Sequence, residues 1–145
     1  MNQKHISWAV YVITDRAATR GRTMLDVLRA AIQGGASAVQ LRDKTASTRD
    51  MLALGEALHV LTRAANIPLI VNDRVDVALA LGAEGVHVGQ DDMPAPQARQ
   101  LIGPDLLLGV SAYTVEQAVQ AERDGADYIG AGDVYGTPSK ADAGE

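Results

Sequence analysis

Short runs rich in Val, Ile, Leu and Ala alternate along this chain with longer stretches in which apolar residues return every three or four positions. The runs fall at residues 11–14, 38–41, 68–71, 86–88, 106–110 and 128–131. They are too continuously apolar for strands with one wet face, so they read as strands buried on both sides, which is the habit of a parallel sheet. Between them, residues 23–33 carry one apolar stripe of Met24, Leu25, Val27, Leu28, Ala31 and Ile32, stopped by Gly34-Gly35. A longer helix is expected over residues 47–65, built on Met51, Leu52, Leu54, Leu58 and Leu61. Shorter ones fit 75–81, 94–101 and 114–124, the last opened by a Thr114/Gln117 capping box and closed by Gly125. Six strands and five helices therefore alternate strictly.

An internal echo supports the alternation. Gly35-Ala-Ser-Ala-Val39, Gly82-Ala-Glu-Gly-Val86 and Gly125-Ala-Asp-Tyr-Ile129 each join a helix end to the next strand, at spacings of 47 and 43 residues. Such a pattern gives either a doubly wound sheet or a closed barrel. No glycine-rich dinucleotide fingerprint follows Ile13, so the barrel is preferred. A complete eight-stranded barrel needs about 200 residues or more, whereas this chain has 145 and its pattern stops after strand six. The expected fold is α/β of the (β/α)8 TIM-barrel type, a single partial domain over residues 1–145, with the last two strand–helix units missing. Two strand edges would then be open, and open edges favour self-association.

Composition narrows the function. The chain is 47% apolar, lacks Cys and Phe, and has a net charge of −5 spread without any basic block or aromatic platform. Those properties argue against a disulfide scaffold, a thiolate metal site and nucleic-acid binding. The apolar run at residues 6–13 is too short for a secretory core, and no stretch approaches the roughly 20 apolar residues of a membrane helix. A cytoplasmic location is the default expectation.

Polar residues that suit one ligand gather at the ends of successive strands. In a barrel those ends share a rim, and ligands bind there. On strand two, Gln40 and Arg42 are two apart and share a face, and Lys44 extends from the following loop. An amide, a guanidinium and an ammonium suit an anion joined to a hydrogen-bonding ring; the alternative is an interior polar cluster with Lys44 in solvent. Asp73 and Asp92, after strands three and four, are placed to hold one hard cation such as magnesium, although either alone reads first as a helix cap. Ser111 by itself reads as a strand terminator. Thr137-Pro138-Ser139-Lys140 offers two hydroxyls and an ammonium around a fixed turn, a reasonable phosphate grip. His87 should face the interior as a hydrogen-bonded core residue, and His5 and His59 have no neighbouring constellation.

These motifs together resemble the thiamine phosphate synthase family, with its sister group of TenI-like thiazole tautomerases more distant. The resemblance rests on Tyr11-Val-Ile-Thr-Asp15, Gln40-Leu-Arg-Asp-Lys44, Val71-Asn-Asp73, Gly85-Val-His-Val-Gly-Gln-Asp-Asp92, Gly109-Val-Ser111, and Gly125-Ala-Asp-Tyr-Ile-Gly130 through Thr137-Pro-Ser-Lys140. Each is weak alone, but the ordered set spans nearly the whole chain. It implies a (β/α)8 barrel that joins a hydroxymethylpyrimidine diphosphate to a thiazole phosphate, releasing pyrophosphate and forming thiamine phosphate. By that analogy Gln40, Leu41, Arg42, Asp43 and Lys44, with Asn72, Ser111 and Lys140, hold the pyrimidine diphosphate. Asp73 and Asp92 carry Mg2+, and Thr137, Pro138 and Ser139 meet the thiazole phosphate. Arg42, Lys44 and Lys140 are the expected catalytic cations.

The chemistry agrees with the residue types. Breaking a C–O bond to pyrophosphate develops negative charge that cations stabilise, and a thiazole nitrogen attacks with a lone pair, so no general base is required. The chain departs from the family pattern at Asp133 (commonly Pro), Ser139 (Thr) and Tyr113 (often His), and it lacks the glycine-rich turns expected after strands seven and eight. Two other readings stand beside the enzyme: a barrel that binds diphosphate without turnover, and a TenI-like tautomerase. Asn72-Asp73 and Gln90-Asp91-Asp92 favour the first family. The expected partners are the two small-molecule substrates, with no nucleic acid and no membrane.

Overall fold

In a computed structural model, which describes residues 6–132, the chain alternates strand and helix throughout. In order these are β1 (Tyr11–Ile13), α1 (Met24–Gln33), β2 (Ala38–Leu41), α2 (Thr48–Ala64), β3 (Leu69–Asn72), α3 (Val75–Leu81), β4 (Gly85–Val88), α4 (Ala95–Ile102), β5 (Leu107–Ala112), α5 (Val115–Arg123) and β6 (Tyr128–Ala131), with one 3-10 turn at Ala17–Thr19. The six strands form one sheet in sequence order, every pair parallel. No helix among the described residues is long and apolar enough to cross a membrane.

Local chemistry sets the boundaries. Thr23, Ser47 and Thr114 cap α1, α2 and α5, each hydroxyl accepting the backbone N–H three residues on. Gln117 completes the last cap by accepting the N–H of Tyr113 at 2.7 Å, one residue outside the position of a strict capping box. Gly35 and Gly125 take φ of +99° and +89° just past their helices, conformations costly for any residue with a Cβ. Strand bounds differ from expectation by a residue or two. β3 begins at Leu69, since Pro68 has no N–H to give to a ladder, and β5 runs on through Ala112. Ser111 therefore lies within a strand and does not terminate it.

The strands bury both faces. Outward, Val39, Leu41, Leu69, Val71, Val86, Val88, Leu108 and Val110 pack with Leu28, Met51, Leu58, Val75, Val77, Ala98 and Ile102 of the helices into one core. Inward, the alternate set includes Tyr11, Gln40, Ile70, His87, Ser111 and Tyr128, with Gly85, Gly109 and Gly130 making room.

The sheet is strongly curled. At the usual ladder spacing, first and sixth strands of a flat sheet would stand about 24 Å apart, farther than two tyrosines reach. Yet the hydroxyls of Tyr11 on β1 and Tyr128 on β6 are 2.9 Å apart, and Trp8 lies with its ring 4.5 Å from that of Tyr128. Three of the few aromatic side chains thus hold the two outermost strands together across the concave face.

That closure has no spare volume at β5. A Cβ at Gly109 would collide with the Tyr128 ring and the His87 imidazole. Gly109→Ala is expected to lower unfolding stability by about 1–3 kcal/mol, measured by urea denaturation.

Candidate functional site

A chain of hydrogen bonds crosses the concave face. Gln40 Nε2 donates to Tyr11 Oη at 2.9 Å, Tyr11 and Tyr128 hydroxyls meet at 2.9 Å, His87 Nδ1 lies 3.2 Å from Tyr128 Oη, and His87 Nε2 lies 3.0 Å from Ser111 Oγ. Burial raises the pKa of both phenols, Tyr128 the more strongly because Tyr11 and Asp127 add to it, so both keep their protons. Tyr11 accepts from Gln40, and because the hydroxyls of Tyr11, Tyr128 and Ser111 can each donate or accept, the chain closes with either tautomer of His87. His87 is thus the hydrogen-bonded interior residue expected from its position, and Ser111 is its partner.

The rim beyond β2, β3 and β4 brings the charged candidates together. Lys44 Nζ is 3.1 Å from Asp73 Oδ2, and the Asp73 and Asp92 carboxylates lie within hydrogen-bonding range of each other. Burial and the facing Asp92 carboxylate raise the Asp73 pKa, against the pull of Lys44. Asp73 sits at φ +61°, a left-handed conformation that Asp tolerates better than most residues, and its N–H donates to the His87 carbonyl at 2.8 Å. Asp92 is oriented by the Gly89 N–H, at 2.8 Å from Oδ2. Neither carboxylate caps a helix: the N-cap residues of α3 and α4 are Arg74 and Pro94, and neither helix has a side-chain cap. The capping reading is therefore replaced by a carboxylate pair. Two facing carboxylates beside a lysine are a donor set suited to one hard divalent cation that keeps waters and takes phosphate oxygens.

Asn72 closes β3 on the inner face, beside His87 in the parallel register. Gln90 spans from the end of β4 to the Ser111 carbonyl at 2.6 Å. Leu41 is fully buried in the core beneath the helices, so only its backbone borders the site. The Asp43 carboxylate is not turned to a ligand: it receives Arg16 Nε, Thr45 N and Oγ1 at 3.1 Å, and Ala46 N at 2.9 Å. Burial alone would raise its pKa, but these donors outweigh it and hold the carboxyl below the usual range. Lys140, Thr137, Pro138 and Ser139, with the departure at Asp133, lie outside the described residues. His59 does have a constellation, contrary to expectation. It is buried on α2, with Glu84 Oε1 at 3.1 Å and Arg63 Nε at 3.1 Å, on the helix side of the sheet and remote from the rim.

Tyr11 and Tyr128 were not among the residues singled out for chemistry. Their signal was available in the alternation, since each is a polar-tipped aromatic on the inward set of its strand.

Residues 10–145 match the family model described as thiamine monophosphate synthase. The chain belongs to that family. It is 66% identical to the thiamine-phosphate synthase of Roseiflexus castenholzii, over 93% of this chain and 59% of that protein. It is 57% identical to that of Chloroflexus aurantiacus, over 95% of this chain and 63% of the relative. Among solved structures, a thiamine phosphate pyrophosphorylase from Pyrococcus furiosus superposes with a TM-score of 0.81 at 47% identity, covering 90% of this chain and 62% of that one. This member of the thiamine monophosphate synthase family spans less than two thirds of the length of these relatives.

The carboxylate pair has a thermodynamic signature. Because the folded state raises the Asp73 pKa, that group contributes stability below its unfolded value, near 4, and the contribution is lost as pH rises through the folded value. Asp73→Asn keeps the left-handed backbone and removes one charge. Without divalent cations it is expected to unfold at a higher temperature than the parent at neutral pH, with the difference vanishing on acidification, as followed by circular dichroism.

Proposed function

We propose that this chain is a thiamine phosphate synthase on a (β/α)8-type frame, condensing 4-amino-2-methyl-5-hydroxymethylpyrimidine diphosphate with thiazole phosphate and releasing pyrophosphate. One observation carries the reading: the loop bearing Arg42 and Lys44 meets the Asp73–Asp92 pair at the same rim, with Lys44 3.1 Å from Asp73. Cations and a cation-holding carboxylate pair side by side are what a diphosphate leaving group requires.

Each residue then has a task. Gln40 and Asn72 at the inner ends of β2 and β3 bind the polar edge of the pyrimidine, and Arg42 and Lys44 take the diphosphate oxygens, Arg42 as a bidentate fork. Ser111, its hydroxyl positioned by His87, donates to the same group. Asp73 and Asp92 would hold Mg2+, which when bound neutralises charge on the diphosphate. As the C–O bond to pyrophosphate breaks, its electron pair leaves with the phosphate, and Arg42 and Lys44 stabilise the growing charge. The thiazole nitrogen supplies the new bond from its lone pair, so no side chain takes a proton. Lys140 completes the cation set, and Thr137, Pro138 and Ser139 receive the thiazole phosphate. A cytoplasmic setting belongs to the same reading.

Titration calorimetry with inorganic pyrophosphate tests the half-site directly. Binding is expected with magnesium and to be much weaker without it; equal affinity in both conditions overturns the metal assignment. Arg42→Ala and Lys44→Ala should each lose about 1.5–3 kcal/mol of binding. Arg29→Ala, which removes only the surface pair with Asp26 on α1, should leave binding unchanged.

A further inference from the structure

β1 extends past its last strand residue toward the cation-bearing loop, and two of its following side chains grip that loop. The backbone ladder ends with Thr14 N donating to Gln40 O at 2.9 Å. One step on, the Thr14 hydroxyl replaces the missing backbone: Oγ1 accepts from Arg42 N at 2.9 Å and donates to Arg42 O at 3.1 Å. Thr14 is 4% exposed, so these groups are shielded from water and need such partners. A hydroxyl is among the few side-chain groups able to satisfy an N–H and a C=O at once.

Two residues further, Arg16 Nε donates to the Asp43 carboxylate. The Arg16 side chain is 64% exposed, whereas that of Asp43 is 6% exposed. Asp43 lies between Arg42 and Lys44, where a carboxylate turned to the rim would repel phosphate. Its oxygens are instead occupied by Arg16 and by the Thr45 and Ala46 donors, which fold the loop around it.

We propose that Thr14 and Arg16 are positioning residues for the phosphate grip, Thr14 through the backbone of Arg42 and Arg16 through the carboxylate of Asp43. The inference rests on the diphosphate reading above. Arg42 and Lys44 are long side chains whose aim depends on the backbone that carries them. β2 loses its ladder to β3 after Leu41, so the β1 end is what holds that backbone in register. Neither positioning residue needs to touch a ligand.

The test uses the whole chain, inorganic pyrophosphate with magnesium, and calorimetry well below the unfolding temperature. Thr14→Val keeps the shape and removes both hydrogen bonds; it is expected to weaken pyrophosphate binding about tenfold or more. Thr14→Ser restores the hydroxyl and should restore the affinity. Thr14→Val should add little to the loss already caused by Lys44→Ala, because both act on one grip. Arg16→Gln, at an exposed side chain, should also weaken binding and carries the test should Thr14→Val fail to fold. Parent-like affinity in Arg16→Gln or in a folded Thr14→Val overturns the proposal, as does a Thr14→Ser variant no better than Thr14→Val. If the parent itself does not bind pyrophosphate, the diphosphate reading falls and this inference with it, an outcome distinct from binding that the variants leave intact.

Discussion

Everything at the rim depends on the sheet being curled, and the curl is fixed by polar aromatic side chains meeting across its inner face. Helix packing on the outer face supplies most of the burial, with each enclosed Leu, Ile or Val worth about 1.5–3 kcal/mol, yet that packing alone does not dictate how far the strands close. The bridge from Tyr11 to Tyr128 does, because it joins the first strand to the sixth. It also demands glycine at 109 and close approach at 130, so the small residues of β5 and β6 are the complement of two large ones, His87 on β4 and Tyr128 on β6. Among the described residues no buried side-chain polar atom lacks a hydrogen-bond partner, which is what makes a polar interior tolerable.

The same chain of hydrogen bonds links architecture to chemistry. Gln40 begins it on β2 and Ser111 ends it on β5. The groups that shape the concave face therefore also position the Ser111 hydroxyl. His87, held between a phenol and a serine, is an orienting group in the proposed reaction. The carboxylate pair works in the opposite sense. Asp73 and Asp92 are held near each other and near Lys44 at a cost in stability that a bound cation would offset.

The alternation of strands and helices was legible in the sequence because periodicity and caps are local. Thr23, Ser47 and Thr114 announce helix starts, Gly35 and Gly125 announce stops, and every element lies within a residue or two of expectation. The approach of Lys44, Asp73 and Asp92 to one another followed from parallel strands sharing one rim. What could not be read was which of two local options each side chain takes. Asp73 before a helix looks like a cap, and only the three-dimensional neighbourhood of Lys44 and Asp92 diverts it. Asp43 inside a cationic motif looks like a ligand contact, and only Arg16, 27 residues earlier, shows that it is tied into the loop. His59 looked isolated because its partner Glu84 is 25 residues away, on a different element.

Trp8 has a practical consequence. It is the sole tryptophan of the chain, and it lies against Tyr128 and beside Tyr11, where the two outermost strands are drawn together. Its fluorescence therefore reports on that seam alone. A parting of the strands would change the emission while the helices stayed intact, so one unmodified chain carries its own optical gauge of whether the concave face is closed.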